Sequence, residues 1–174
     1  MLVLGYLAVV WGIVGITFIF GNAIVRIGTI GLDTFAFSLN WYHWAALVIS
    51  VLFMGFAEGY KGFQRAYSPR VAARLLYLRD NVTPVRLVFA PLFCMGFFDI
   101  RRRRMIITYC LLLGILTLIQ LVHMLDQPWR GIVDLGVVVG LSWGCVSIVL
   151  FVMKAFMSET FEYSPEMPEL KNAP

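Results

Sequence analysis

Two histidines, His43 and His123, are the only imidazoles in this 174-residue chain. Each stands about one helical turn inside the end of a long uncharged stretch, and four crossings of a bilayer would bring both to the same outer face at similar depth. Two imidazoles at matched depth on neighbouring helices can give the two axial nitrogens of a b-type haem, with Met, Trp and Phe as walls. A quinone is the related alternative, making the chain an electron-transfer protein. The same two residues also read as interface histidines among Trp41, Tyr42, Trp44 and Trp129, where amphipathic rings collect. The cofactor therefore stays open at this point, with haem b one of the readings.

The remaining polar residues inside the apolar stretches are few, and ionisable groups there are functional candidates. Glu58 precedes Lys61 by three residues, the spacing of an ion pair on one helix face. Thr117, Gln120, His123 and Gln127 recur three to four apart and form a stripe that should face a bundle interior, since unpaired amides in hydrocarbon are unfavourable. Asp126, Arg130 and Asp134 follow at spacings of four, and with Asp33 they read as a solvated ion-pair cluster. A stripe of this kind could also line a small channel or transporter. No HExxH or phosphate-loop motif is present, and no clustered carboxylate pair has metal-ligand spacing. Cys94, Cys110 and Cys145 lie in apolar surroundings without a CxxC, as small buried hydrophobes do. The reading is therefore non-enzymatic, with no metal and no nucleic acid.

What must position these residues is set by composition. Sixty per cent of the chain is hydrophobic and 14% charged, and mean hydropathy is +0.84. A soluble domain carries more polar surface than this. Four uncharged stretches reach the ~20 residues needed to cross a bilayer as helices, giving an all-α integral membrane protein with spans at about 2–27, 35–60, 105–126 and 131–156 in one domain, 1–157. The first lacks a basic n-region and a small-residue cleavage site, so it reads as a retained span rather than a signal peptide. The acidic, proline-bearing residues 158–174 read as a flexible tail.

Ten of the fourteen Lys and Arg residues lie between the second and third spans, from Lys61 to Arg104. Basic residues favour the cytoplasmic side, which puts the 62–104 connector and both termini there, in the cell inner (plasma) membrane or an organellar one. Ser68-Pro69 opens an expected basic amphipathic helix on the membrane surface, with Arg70 and Arg74 towards lipid phosphates. Residues 87–98 are too short to span and read as an interfacial or re-entrant segment. Arg101, Arg102, Arg103 and Arg104 flag the start of the third span. Together these arginines are the expected anionic-lipid contacts.

Two glycine seams predict close helix packing. Gly5, Gly12 and Gly15 share one face of the first span, which Asn22 extends by a heptad. Gly136, Gly140 and Gly144 are spaced by four in the last. The simplest arrangement pairs these two helices with each other. The functional expectation is a small membrane subunit or scaffold, in a homo-oligomer or a larger complex, that packs through its glycine faces and meets anionic headgroups or partner protein through the basic connector.

Overall fold

The computed structural model describes residues 2–158 and 160–168, and the described residues form helices and connecting turns with no strand. In order, α1 is Leu2–Leu32, α2 is Trp41–Met54, a π-helical segment is Gly55–Tyr67, α3 is Ser68–Asp80, α4 is Pro84–Val88, α5 is Ala90–Met95, α6 is Arg102–His123 and α7 is Trp129–Met157. Four helical stretches are long and apolar enough to cross a membrane: Val3–Ala36, Trp41–Asp80, Arg102–His123 and Trp129–Met157.

The four expected long helices are recovered with shifted ends. The second begins at Trp41 rather than 35, because Asn40 is extended and its N–H is accepted by Nδ1 of His43 at 3.1 Å. A side chain at the third helical position reaching back to the cap satisfies a donor that the helix leaves open. Residues 33–36 form a short 3-10 turn instead. At its other end the second span does not stop near 60. It runs without a break through the π segment into α3.

The π segment is thirteen residues long, far longer than the single-turn π bulges usually seen. Its wider turn brings residues five apart onto one face. Lys61 Nζ lies 4.8 Å from the centroid of the Phe56 ring and the Arg65 guanidinium 5.1 Å from that of Tyr60, with the two rings stacked at 5.7 Å. This replaces the expected Glu58–Lys61 ion pair, which presumed α-helical spacing. Glu58 instead lies against Gly140 of α7, while Trp143 covers Gly59 and donates from Nε1 to Gln64 Oε1 at 2.8 Å.

The two glycine seams do not face each other. Gly5 of α1 meets the Arg79 carbonyl, Gly12 meets Leu75 and Cys94, and Gly15 meets Pro91, so this seam receives α3 and α5. Asn22 is exposed and does not extend it. The α7 seam receives the second span: Gly136 lies against Ser50, Gly140 against Glu58 and the Met54 carbonyl, and Gly144 against Phe63. α1 and α7 meet through other residues, with Gly31 against Leu135 and Gly28 against Val138.

The core gathers at the arginine end. Ala8, Val9 and Ile16 of α1, Val71, Leu75 and Leu78 of α3, Ala90, Phe93 and Cys94 of α5, and Ile148 of α7 form one buried cluster. The expected surface-lying amphipathic helix is therefore corrected: α3 is buried at five consecutive positions, Val71 to Leu75, and is wrapped by α1, α5 and α7. Residues 87–98, expected as an interfacial or re-entrant segment, fold into parts of α4 and α5 that close over α1. By contrast α6 has no buried residue and meets the other elements near its two ends.

Gly136→Ala is expected to destabilise the protein by ~1–3 kcal/mol, because a Cβ there would stand 3.0 Å from the Ser50 carbonyl oxygen. Gly21→Ala, whose Cβ would meet nothing within 4 Å, should be neutral or stabilising by up to ~1 kcal/mol. Denaturant titration in detergent micelles compares the pair.

Candidate functional site

The side chains that converge do so at the arginine end, and Arg74 is at the centre. It is 2% exposed, and no carboxylate lies within ion-pair distance of it among the described residues. Its charge is met by carbonyl dipoles. Nε donates to the Phe93 carbonyl at 2.6 Å, and one terminal nitrogen donates to Phe98 and Asp99 at 2.8 and 3.2 Å. The other donates to Pro165 at 2.9 Å, and the guanidinium lies 4.1 Å from the centroid of the Phe93 ring. A planar fork with five N–H donors suits such an array. Arg74 was expected to face lipid phosphates; its burial in this cage rules that out.

Local backbone geometry builds the cage. Gly96, at φ +85°, ends α5 in the left-handed region, and Asp99, at φ 53°, turns the chain again. The two turns present the Phe98 and Asp99 carbonyls to one guanidinium. The Asp99 carboxylate pairs with Arg86 at 2.8 Å, and Arg86 also donates to the Asn81 carbonyl and lies over Tyr77 and Phe93.

Beside the cage the tail is fastened. Residues 160–168 carry no helix, yet the expected flexible segment is held at Glu166; Glu159 and residues 169–174 of that expectation lie outside the described residues. Arg104 grips the Glu166 carboxylate with two bonds, at 2.8 and 3.1 Å, and Arg70 stands 3.9 Å from it. The Arg101 N–H donates to the Glu166 carbonyl at 3.2 Å, and the Glu166 N–H to Ser164 Oγ at 3.1 Å. Burial raises the Glu166 carboxyl, but the Arg104 bond and the charges of Arg104, Arg70 and Arg74 outweigh it and hold the group below its ordinary value. A cavity of about 270 Å³ opens next to this pair, lined by Arg65, Ala66, Pro69, Arg70, Arg104, Tyr163, Ser164 and Glu166.

Of the arginines expected at lipid, Arg70 and Arg104 thus line the cavity, Arg74 supports it from within, and Arg101, Arg102 and Arg103 are exposed around the start of α6. Arg65, Tyr163, Ser164 and Glu166 are additions that sequence reasoning missed. The excess of acid in the tail opposite a basic connector was the only available signal.

The histidines occupy the opposite end and do not suit a haem. His43 is buried, with Nδ1 used in the α2 cap and its ring 5.0 Å from Trp129 and 4.2 Å from Tyr42. His123 is exposed; Nδ1 stands 3.0 Å from the Ile119 carbonyl and Nε2 3.2 Å from an Arg130 nitrogen. A guanidinium on Nε2 takes the lone pair that iron would need. The polar stripe is likewise not interior: Thr117 donates to Leu113 within its own helix, and Gln120 is exposed. Gln127 does reach across, binding the Ile30 carbonyl, Thr34 and the Gly131 N–H. In the charged cluster, Arg130 lies 3.8 Å from Asp134, while Asp33 and Asp126 are exposed. Comparison with protein-family models, with curated proteins and with solved structures finds no match to this chain.

Arg74→Leu should lower stability by about 3 kcal/mol or more, since it strands several carbonyls in a dry core. Arg74→Lys should recover little, having three donors on a point charge. Thermal unfolding in micelles measures both. A second expectation concerns pH. The lowered Glu166 carboxyl favours the docked tail above the ordinary glutamate value of 4.5, and that contribution is lost as pH falls through the depressed folded value. The protection of residues 160–168 against hydrogen exchange, taken relative to the intrinsic rate at each pH, should fall across that acidic window in the parent protein, and already be low at neutral pH in Glu166→Gln.

Proposed function

We propose that this protein is a non-catalytic integral membrane subunit that docks neighbouring helices through α6 and anchors its arginine end on an anionic cytoplasmic leaflet. Three features support the threading. The Lys and Arg excess lies at one end, Trp41, Tyr42, Trp44 and Trp129 lie at the other, and Gly5 near the start of α1 and Glu166 of the tail both lie against the arginine end.

The observation that carries the docking role is α6. None of its 22 residues is buried, and its contact with α7 is slight, with His123 beside Arg130 at the end away from the arginines. In a bilayer lipid would cover its leucines and isoleucines, but Gln120 would present an unpaired amide to hydrocarbon, a costly arrangement. An amide is both donor and acceptor, so it is satisfied by the same residue of a second copy across a two-fold axis. The proposed state is thus a homo-oligomer assembled on α6. The folded arginine end is its cytoplasmic platform.

Gln120→Cys, in a chain with Cys94, Cys110 and Cys145 replaced by alanine, should give a disulfide-linked dimer on mild oxidation in membranes. Gln120→Leu should weaken the oligomer on native electrophoresis. A monomer in both assays at all protein-to-lipid ratios overturns the docking role, and a link to a different protein would replace the second copy by that partner.

A further inference from the structure

We propose that the cavity beside Glu166 is a binding site for a phosphomonoester dianion, which competes with the Glu166 carboxylate for Arg104 and Arg70. The site deepens the anchoring role proposed above if the phosphate belongs to a lipid, and it stands on its own geometry if the phosphate is soluble.

Charge decides the ligand class. Three guanidinium groups, from Arg65 on the π segment, Arg70 on α3 and Arg104 on α6, border a cavity of about 270 Å³. One carboxylate, Glu166, faces them, so a ligand that displaces it meets three positive charges, of which the carboxylate offsets only one. A phosphomonoester brings about −1.5 to −2 charges and three acceptor oxygens. A phosphodiester brings one charge, the same as Glu166. It would gain nothing over a carboxylate already tethered there at high effective concentration. The second charge of the monoester is what makes displacement favourable, so the plug itself sets the preference.

The donors are in place on several elements. Arg104 already grips one anion with two parallel bonds, the geometry in which arginine recognises carboxylate and phosphate alike. Arg65 is exposed and engages the Tyr60 ring, with no carboxylate partner among the described residues. Ser164 Oγ accepts from the Glu166 N–H, which leaves its own O–H to donate. Displacing the Glu166 side chain also loosens the hold on its neighbour Pro165, whose carbonyl is bonded to Arg74. Binding is therefore coupled to release of residues 160–168.

The test uses the purified full chain in non-ionic micelles. It is titrated with phosphatidic acid as lipid monoester, phosphatidylglycerol as diester of equal chain length, and glycerol 3-phosphate as soluble monoester. Bound ligand is counted by native mass spectrometry and tail release by hydrogen exchange. Phosphatidic acid should bind at least about tenfold more tightly than phosphatidylglycerol and expose residues 160–168. Glu166→Gln should tighten phosphatidic acid binding by about tenfold and reduce the preference for the monoester. Arg104→Gln should abolish binding, and Arg65→Gln, at an exposed position outside the Glu166 pair, should weaken it several-fold without loss of the fold. Glycerol 3-phosphate binding as tightly as phosphatidic acid also supports the site and assigns it to a soluble ligand. Equal binding of the two lipids, or no change in Glu166→Gln, overturns the site. That result leaves the α6 docking role to the cross-link at position 120, which does not involve the cavity.

Discussion

A buried guanidinium met by carbonyls rather than by a carboxylate is the constraint on which this fold depends. Removing a charge from water is unfavourable by several kcal/mol unless donors and acceptors are matched around it. Arg74 achieves the match by collecting carbonyls from α5, from the turn after it and from the tail. Each must be aimed. α5 must stop where it does, Gly96 and Asp99 must take left-handed conformations, and Pro165 must return from far along the chain. A non-glycine residue at positive φ is unfavourable in isolation. Here the carbonyl that Asp99 turns inward, and its carboxylate on Arg86, offset that strain. One side chain thus specifies the course of two otherwise irregular segments.

The result is a division between a tight end and loosely packed long helices. At the arginine end α3 is buried along most of its length, and Phe93, Leu75 and Leu78 are inaccessible. Along the rest, α2 buries only His43 and α6 buries nothing. Hydropathy ranks these regions in the opposite order, since α6 is far more apolar than α3. The two measures differ because hydropathy reports what tolerates lipid, whereas burial here follows packing. Within lipid no hydrophobic force draws helices together, and small residues and polar bonds decide contact. The glycines of α7 fit that account by admitting Ser50 and Phe63. α6, with a single glycine at 114 whose Cβ would meet nothing within 4 Å, has no such seam to this chain.

The four long helices were legible in the sequence because length and apolarity are local properties, and the close-packing role of the glycines was legible from their spacing. Their partners were not: two seams were matched to each other when each receives a different element. The start of α2 was placed six residues early because Phe35, Phe37 and Leu39 are apolar, although Asn40 followed by His43 at the third position carries the cap signal. The helical wheel turns Arg74 away from the apolar face, towards lipid phosphates. No local pattern could show its cage, which uses residues 19 to 91 positions away. Glu166 was obscured for the same reason, since acidic, proline-bearing composition describes a chain's average tendency and not one ion pair.

The π segment was legible in a way that α-helical periodicity concealed. Phe56 with Lys61 and Tyr60 with Arg65 are two aromatic–cation pairs five apart. On an α-helix, residues five apart diverge by about 140° around the axis, so neither pair could form; on a π-helix they stack. The wider turn also reconciles two helices with different demands. α2 arrives with one half-buried face on α7 and the rest exposed, and α3 leaves largely buried. Between them the segment sets its cations over rings on one face and lays Gly59, Glu58 and Gln64 against α7 on another. Arg65 and Arg70, again five apart, emerge beside the same cavity. A regular helix from 41 to 80 would turn one of them away, so the three-arginine site and the irregular helix are one structural fact.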